Sequence, residues 1–184
     1  MTRRFRNTYF LLRHGQADHI ITGTVASKNT EATNPPHLTK VGISQARKAA
    51  EELAGKGISM IYSSPYARTM ETAEIVAERL GLKVVQDDRL VEIDAGFLDG
   101  KSIEEYREFF RKPEEELTKK AGGGEDLYDV RDRVNGFLDD VEKKYDNESI
   151  LVVGHAASLM ALESVYTGKG ILEISYRAGE WRKL

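Results

Sequence analysis

Cysteine is absent from this sequence of 184 residues, and its absence removes several kinds of site. A chain without cysteine has no disulfide framework, no thiolate site for zinc or an iron–sulfur cluster, and no cysteine nucleophile. Long apolar runs are also missing. Runs such as Ile150–Val153 are far too short to span a bilayer, so a transmembrane protein is not expected. Any catalysis must therefore use His, Ser, Thr or carboxylate side chains.

An excess of positive charge is lacking as well. Lys and Arg together number 27 against 30 for Asp and Glu, and the formal net charge is -3. No overall positive field would recruit nucleic acid or an acidic membrane, so neither is expected as a partner. The basic start is followed only by Tyr9–Leu12, which is too short for a signal-peptide core. We expect a cytoplasmic protein in which a local pocket captures any anionic ligand.

Short apolar runs alternate with amphipathic stretches along the whole chain, with no internal repeat or low-complexity linker. The predicted strands are 8–12, 58–62, 82–85, 149–153 and 171–176, and the predicted helices are 39–55, 64–81, 102–120, 127–141 and 156–166. This alternation predicts right-handed crossovers and an α/β fold. We expect a single domain (1–184) built as a three-layer sandwich. Its sheet is mostly parallel, with helices on both faces and a small helical insertion, about 95–124, over the site.

Polar residues follow four of the predicted strands at the points where the strands end. The first strand is followed by Arg13, His14 and Gly15, the second by Ser63 and Arg68, the third by Glu92 and the fourth by His155. In open parallel sheets, ligands bind outside the carboxyl ends of the strands. Each of these residues alone has an ordinary structural explanation, such as a surface ion pair for Arg68. Their joint placement predicts one functional rim.

The expected rim combines two guanidinium groups, two imidazoles and one carboxylate. Guanidinium groups offer forked donors that match phosphate oxygens, so the set predicts a phosphoryl pocket. A metal site is not expected, because Arg13 beside His14 repels a cation and no second carboxylate is placed to neutralise one. Nearby cations would keep His14 neutral and able to attack phosphorus in line. Glu92 is the carboxylic acid placed to protonate a leaving oxygen, and Gly15 allows close backbone approach beside His14.

Several short blocks of sequence together carry a family resemblance over nearly the whole chain. The blocks are Leu12–Gln16, Leu38–Thr39 with Gly42, Ser63–Ala73, Glu92 with Gly96 and Gly100, Gly124–Glu125, and Val152–His155. In this order they resemble the histidine phosphatase superfamily, also called the phosphoglycerate mutase-like family. The resemblance implies transient phosphorylation of His14, a phosphate pocket completed by Arg13, Arg68 and His155, and a proton donor at Glu92. It further implies substrate contacts from Ser63, Gly15 and Gln16, and neither a metal nor another cofactor.

Two stretches depart from that family pattern. The first motif of the family is followed by an Asn that contacts phosphate, but residues 16–20 read Gln-Ala-Asp-His-Ile, which leaves Thr22 or Asn29 as replacements. Many members carry Gly-Gly after the last histidine, whereas this chain has Ala156–Met160. The other histidines, His19 and His37, lie in a predicted polar loop from Asp18 to His37. They are expected to be exposed, with a place at the site entrance as the alternative.

Three functions compete, and all of them act on a phosphorylated ligand. The favoured one is a phosphatase for a small phosphomonoester, because the mutases of the family have Glu-Arg-His-Tyr-Gly where this chain has Glu92–Gly96 as Glu-Ile-Asp-Ala-Gly. The first alternative is a cofactor-dependent phosphoglycerate mutase, in which Lys101, Arg107 or Arg111 would hold the substrate carboxylate. The second is a phosphoprotein-binding or signalling module, which the joint presence of His14, Glu92 and His155 disfavours. The sequence leaves homo-oligomer formation open.

Overall fold

The computed structural model describes residues 4–27 and 35–184, which build one five-stranded sheet in the order β3-β2-β4-β1-β5. The strands are β1 (Thr8–Arg13), β2 (Met60–Ser63), β3 (Val84–Gln86), β4 (Ser149–Gly154) and β5 (Trp181–Lys183). The first four are mutually parallel, and β5 runs antiparallel to β1 at the edge of the sheet. Because Arg13 pairs with Gly154 and Ser63 with Val153, the three central strands end at the same level.

Helices cover both faces of this sheet, as the α/β prediction requires. They are α1 (Asp18–Thr22), α2 (Lys40–Leu53), α3 (Ala67–Leu80), α4 (Ile103–Phe109), α5 (Leu127–Lys144) and α6 (Ala156–Thr167). Short 3-10 turns lie at Asp88–Leu90, Gly96–Leu98, Pro113–Leu117 and Ile171–Glu173. None of the described helices has the length and apolar character needed to cross a membrane.

The two faces of β1 bury separate apolar cores. Successive side chains of a strand point to opposite faces, so Phe10 and Leu12 pack with α2 and α3, whereas Tyr9 and Leu11 pack with α5 and α6. All four side chains are at most 2% exposed. Truncating a buried leucine such as Leu11 to alanine would cost about 2–5 kcal/mol of stability. The sheet is therefore packed against helices on both sides.

Local signals in the sequence set the ends of the long helices. The Thr39 hydroxyl accepts a hydrogen bond of 3.1 Å from the Gly42 amide at the start of α2, as predicted. Gly81 ends α3 with φ +69°, a left-handed conformation that glycine adopts at no steric cost. Asp126 caps α5 by accepting a hydrogen bond of 2.9 Å from the Asp129 amide. These caps satisfy amide groups that a helix end leaves without an internal partner.

The prediction was wrong for the last strand. Residues 171–176 form a 3-10 turn and an extended segment, and Ile171, Ile174 and Tyr176 pack into the core beside α5 and α6. The place at the sheet edge is taken by β5, whose Trp181–Lys183 pairs with Phe10–Leu12 of β1. Three buried apolar residues in a short segment satisfy either a strand or a turn packed on a helix, and only the tertiary contacts decide between them.

Two helix predictions and one loop prediction also needed correction. The helix expected from Ser64 begins at Ala67, because the Ser64 carbonyl accepts side-chain hydrogen bonds from Ser63 and Thr69 and stays outside the helical ladder. The helix predicted over 102–120 is divided into α4 and the turn that begins at Pro113, because proline cannot donate to a continuing ladder. The polar stretch that starts at Asp18 contains the short helix α1. The limits of 95–124 for the insertion stay a prediction.

Candidate active site

The loops that leave β1, β2 and β4 converge at the carboxyl edge of the sheet. The His14 amide donates a hydrogen bond of 3.1 Å to the Gly154 carbonyl, and the Ser64 amide donates one of 3.1 Å to the Val153 carbonyl. The imidazole rings of His14 and His155 meet edge to face with their centroids 5.2 Å apart. Both histidines are buried, and His14 is only 1% exposed. The parallel register thus brings together side chains that lie far apart in the sequence.

The hydrogen bonding of His14 fixes its neutral tautomer. Its Nδ1 lies 2.7 Å from the Gly15 carbonyl oxygen, which can only accept, so Nδ1 carries the hydrogen. The pKa of His14 is lowered well below its ordinary value by burial first and then by the charges of Arg68 and Arg13. At neutral pH the ring is therefore uncharged, and its lone pair is on Nε2.

His155 shares this electrostatic environment. Burial, followed by the charge of Arg68, lowers its pKa well below the ordinary value. Its Nε2 lies 2.9 Å from the Ser64 hydroxyl oxygen, and its Nδ1 is buried without a hydrogen-bond partner. The Tyr66 ring packs edge to face against it with the centroids 5.1 Å apart. Nε2 of His155 is therefore hydrogen-bonded, whereas Nδ1 makes no hydrogen bond to the described residues.

The two arginines are anchored through backbone carbonyl groups. Arg68 is 2% exposed and donates from Nη2 to the Ala26 carbonyl at 2.9 Å, with its guanidinium over the Tyr66 ring. Arg13 donates from Nη1 to the Tyr176 carbonyl at 2.6 Å. Burial lowers the pKa of Arg68 to about 10 and also lowers that of Arg13, while the nearby charge of Glu92 acts against both shifts. Both groups stay charged at pH 7, because even the Arg68 pKa lies well above it.

Polar atoms without partners concentrate at this site. In residues 4–27 and 35–184, the buried side-chain nitrogen and oxygen atoms without a hydrogen-bond partner are Arg13 Nε, His19 Nδ1, Arg68 Nε and His155 Nδ1. Buried polar groups are normally paired, because leaving one unpaired costs about 1–3 kcal/mol. All four nitrogen atoms belong to side chains that interact electrostatically with one another. Such a cluster is suited to an anion that offers several acceptor oxygens.

Glu92 lies beside this cluster at the start of α6. Its Oε1 accepts hydrogen bonds from the amides of Ile93 at 3.0 Å and Ala157 at 3.1 Å. No hydrogen bond within the described part of the chain reaches Oε2, which leaves that oxygen able to carry a proton. Arg133, which the sequence analysis missed, donates to the Glu92 carbonyl at 3.1 Å and pairs with Glu125 at 2.9 Å. That ion pair holds the loop of Glu92 against α5.

A cavity of about 740 Å³ lies beside these groups and is lined by Arg13, His19 and Glu92, whereas the buried His14, Arg68 and His155 are not among its lining residues. Its charged or titratable lining residues are Arg13, His19, Glu92, Tyr106, Arg107 and Glu116. The apolar part of the wall includes Ile20, Val25, Ile103, Met160 and Leu172. Because Ile103 to Glu116 belong to the predicted insertion, that segment covers the site as expected. Of the three cations considered for a substrate carboxylate, Arg107 lines the cavity and Lys101 and Arg111 do not.

Three predicted contact residues have other partners in this structure, and their contacts with a substrate stay a prediction. The Ser63 hydroxyl donates to the Ser64 carbonyl at 2.9 Å, and it is Ser64 that reaches His155. The Gln16 side chain accepts from the Thr39 hydroxyl at 2.9 Å and does not line the cavity. Gly15 is required for packing, because a Cβ there would lie 2.4 Å from the Gly42 carbonyl oxygen. Gly15 and Gln16 shape the loop after β1, Ser63 ends β2, and none of the three lines the cavity.

The prediction that His19 is an exposed loop histidine was wrong. Its ring lines the cavity with its centroid 5.8 Å from that of His14, and burial followed by the charges of Arg68 and Arg13 lowers its pKa to about 3. His37 is exposed as expected and pairs with Glu71. Thr22 donates its hydroxyl to carbonyls within α1, and Asn29 lies outside the described residues. Within the described ranges, no cluster of three or more His, Asp or Glu side chains is arranged to hold a metal ion.

Comparisons with known proteins agree with this geometry. The profile of the histidine phosphatase superfamily (branch 1) matches residues 9–178. Phosphoserine phosphatase 1 from Hydrogenobacter thermophilus is 40% identical over 138 residues, which make up 72% of this chain and 65% of that protein. The protein named Probable phosphoglycerate mutase GpmB from Yersinia enterocolitica is 34% identical over 169 residues, covering 86% of this chain and 74% of that one.

A solved structure shares the same fold. The mycobacterial glucosyl-3-phosphoglycerate phosphatase superimposes with a TM-score of 0.83 at 23% identity, over 96% of this chain and 91% of the other. The match to phosphoserine phosphatase 1 spans slightly less than two thirds of that protein, whereas the family profile covers almost the full length of this chain. The chain therefore belongs to the histidine phosphatase superfamily, branch 1.

Proposed function

We propose that this protein is a metal-independent phosphatase that hydrolyses small phosphomonoesters through a phosphohistidine at His14. The observation that carries the proposal is the neutral His14 ring, with Nε2 free to attack, inside a cluster of buried nitrogen atoms that have no partner. A phosphoryl group supplies acceptor oxygens for such nitrogen atoms. The charges of Arg13 and Arg68 would offset the charge on its oxygens.

In the first half of the reaction, the Nε2 lone pair of His14 attacks phosphorus. A nitrogen–phosphorus bond forms while the bond from phosphorus to the leaving oxygen breaks. Glu92 gives its proton to that oxygen, and the alcohol departs. Arg13, Arg68 and His155 hold the equatorial oxygens throughout. The two amides that bind Glu92 Oε1 keep the carboxyl group oriented, so that Oε2 is the oxygen that delivers the proton.

In the second half, water attacks the phosphohistidine. The Glu92 carboxylate takes a proton from the water as the new oxygen–phosphorus bond forms, and the nitrogen–phosphorus bond breaks. Inorganic phosphate leaves, and both His14 and Glu92 return to their starting protonation states. No metal ion takes part in these steps, because the charges of the two arginines provide the stabilisation that phosphoryl transfer needs.

Phosphoglycerate mutase is the second candidate, and the position of Arg107 favours it. Arg107 lines the cavity, where it can hold a substrate carboxylate. Against it, the same wall carries Glu92 and Glu116, which would repel that carboxylate. Burial, followed by the charge of Glu92, raises the pKa of Glu116, while its hydrogen bond with Tyr106 acts in the opposite direction. Arg107 therefore has acidic neighbours in the same wall, and hydrolysis stays the favoured reaction.

Replacement of the nucleophile tests the mechanism. We expect His14→Ala to reduce phosphate release from an aryl phosphate by roughly 10³-fold or more and to abolish the acid-labile phosphoenzyme. His37→Ala is the matched control, because it removes an exposed histidine that pairs with Glu71. Substantial turnover or a labelled phosphoenzyme in His14→Ala would overturn the proposal.

A product analysis separates the three candidate functions. Wild-type protein is incubated with 3-phosphoglycerate, with and without 2,3-bisphosphoglycerate, and with a panel of small phosphomonoesters. Release of inorganic phosphate supports the phosphatase, and formation of 2-phosphoglycerate would identify the mutase. Absence of both products would leave the binding or signalling module.

The expected setting of this reaction follows from the composition. We propose a small phosphorylated substrate and a cytoplasmic location, since the chain has no excess of positive charge for nucleic acid or acidic membranes. Fractionation of cells that produce the tagged protein tests the location. Homo-oligomer formation stays open, and light scattering of the purified protein would measure it.

A further inference from the structure

Within the described residues, His19 is the one side chain of the site that has a buried unpaired nitrogen and no role in the proposed reaction. It lies on α1, lines the cavity and has its ring centroid 5.8 Å from that of His14. Its Nδ1 is buried and has no hydrogen-bond partner. The other three nitrogen atoms of this kind belong to Arg13, Arg68 and His155, which already have a role in holding phosphate. Because all four nitrogen atoms are buried and unpaired at one site, we infer that they bind the same ligand.

The backbone holds His19 firmly at this position. The His19 carbonyl accepts hydrogen bonds from the Gly23 and Thr24 amides and from the Thr22 hydroxyl. The next residues are attached to the insertion, because the Ile103 amide donates to the Gly23 carbonyl at 2.8 Å. The ring therefore keeps its place beside the arginines without a side-chain anchor at Nδ1.

The charge state of His19 suits a site that is already rich in cations. Burial, followed by the charges of Arg68 and Arg13, lowers its pKa to about 3, so the ring is neutral at the pH of any ordinary assay. A neutral imidazole with its hydrogen on Nδ1 is a donor that adds no further positive charge beside His14. It therefore binds an anion without making the His14 lone pair less available.

We propose that His19 donates a hydrogen bond from Nδ1 to the phosphoryl group and is an additional phosphate-binding residue of this active site. This inference rests on the proposed function for its ligand class. In the phosphorylated intermediate, the same hydrogen bond holds an oxygen of the group attached to His14. His19 neither gains nor loses a proton during the reaction, so it stabilises negative charge without acting as an acid or a base.

Two substitutions separate hydrogen bonding from packing. His19→Phe keeps an aromatic ring and removes the donor, whereas His19→Asn keeps a short amide donor near the position of Nδ1. We expect His19→Phe to weaken the binding of inorganic phosphate and to lower kcat/KM for an aryl phosphate, each by about 10- to 100-fold, the usual size for a hydrogen bond to a charged group. We expect His19→Asn to recover most of both losses.

The measurements are isothermal titration calorimetry with inorganic phosphate, steady-state kinetics with the aryl phosphate and thermal unfolding. His37→Phe is the matched control, since it alters an exposed histidine outside the cavity. His19→Phe should unfold at the wild-type temperature or higher, because it removes a buried polar atom without a partner. Unchanged phosphate affinity in His19→Phe, or no recovery in His19→Asn, would overturn the role of His19. The measurement of phosphate binding tests the role of His19 even if the protein shows no turnover. Absence of turnover would count against the proposed function alone.

Discussion

The two ends of β1 carry buried polar clusters of opposite kinds. At its amino end, Glu142 of α5 accepts hydrogen bonds from the Arg6 amide at 2.7 Å, from the Asn7 side chain at 2.8 Å and from the Tyr9 hydroxyl at 2.7 Å. At its carboxyl end, Arg13, His19, Arg68 and His155 each have a buried side-chain nitrogen that makes no hydrogen bond to the described residues. We call the hydrogen-bonded cluster around Glu142 the closed network. We call the cluster of nitrogen atoms without partners at the other end the open network.

The comparison shows how burial can serve stability at one end and ligand binding at the other. Burial raises the pKa of Glu142, but its hydrogen bonds outweigh this effect and leave the pKa below its ordinary value. At the other end, burial and like charges act together on His14, so its pKa falls well below the ordinary value. The closed network stabilises a charge within the protein. The open one leaves donors and a lone pair for a substrate.

The largest effect expected from this comparison concerns its two carboxylates. Glu92→Gln keeps an oxygen for the amides of Ile93 and Ala157 but removes the proton, so hydrolysis of alkyl phosphates should fall by about 10²–10⁴-fold. An aryl phosphate with a good leaving group should lose much less, because its oxygen leaves without a proton. The measurement is kcat/KM for both substrate types.

Glu142→Gln is the matched control for that experiment. It changes a carboxylate that is engaged through both oxygens at the far end of β1, so kcat/KM of the folded protein should stay at the wild-type value. Equal losses on alkyl and aryl phosphates in Glu92→Gln would reject Glu92 as the acid. Loss of activity in folded Glu142→Gln would show that the two ends are coupled.

A smaller effect, on stability alone, is expected from Glu142→Ala. The change removes the carboxylate that accepts hydrogen bonds from the Tyr9 hydroxyl, the Asn7 side chain and the Arg6 amide, which should cost about 1–3 kcal/mol of unfolding free energy. For a chain of this size, each kcal/mol lowers Tm by about 2–4 °C. Denaturant unfolding measures the change, with Glu78→Ala, an exposed position on α3, as control. Equal stability of the two variants would contradict a structural role for the closed network.

A further difference expected between the two ends concerns the pH dependence of stability. His14 and His155 have pKa values well below those of unfolded histidine, about 6.5. Below pH 6.5 the unfolded chain therefore binds protons that the folded site does not, and stability falls with pH. Each histidine contributes at most about 1.4 kcal/mol per pH unit, or about 2 kcal/mol between pH 6.5 and 5. The lowered pKa of Glu142 also makes stability fall as the pH decreases, but this loss begins only below about pH 4.5.

Thermal and denaturant unfolding between pH 4 and 8 would resolve these two windows. We expect His155→Asn to reduce the slope of the stability profile between pH 6.5 and 5 without abolishing it, because His14 and His19 also have lowered pKa values. Glu142→Gln should leave the slope in that range unchanged. A wild-type profile without a slope between pH 6.5 and 5 would show that the buried histidines of the folded protein take up protons as readily as those of the unfolded chain.

Much of the fold could be predicted because local sequence patterns and tertiary packing favour the same secondary structure in most elements. The apolar spacing of α5 and the caps at Thr39 and Gly81 are local signals, and the structure confirms them. The segment 171–176 was misassigned because its apolar residues face α5 and α6 instead of a neighbouring strand. The strand β5 was missed because a three-residue edge strand carries too little pattern to be recognised.

The candidate site divides in a similar way. Residues directly after strand ends, such as His14 and His155, were found because the parallel topology fixes where a strand delivers its next residue. Arg133 was missed, and a place at the site entrance was only the alternative for His19, because each reaches its position through long-range contacts. His19 arrives through the folding of α1 beside the insertion, and Arg133 through one face of α5. The sequence motif contains Ser64 as well as Ser63, but only the backbone direction after β2 decides which hydroxyl meets His155.

By itself, the sequence determined the alternation of strands and helices, the residues at the strand ends and the lack of any thiol chemistry. These are properties of composition and of short-range order along the chain. The tertiary structure decided which polar atoms are satisfied and which are left without partners. Hydrogen bonding, burial and the field of the two arginines depend on distances between residues remote in sequence. Those distances make Glu142 a closed structural group and leave His14 and its neighbours open to a ligand.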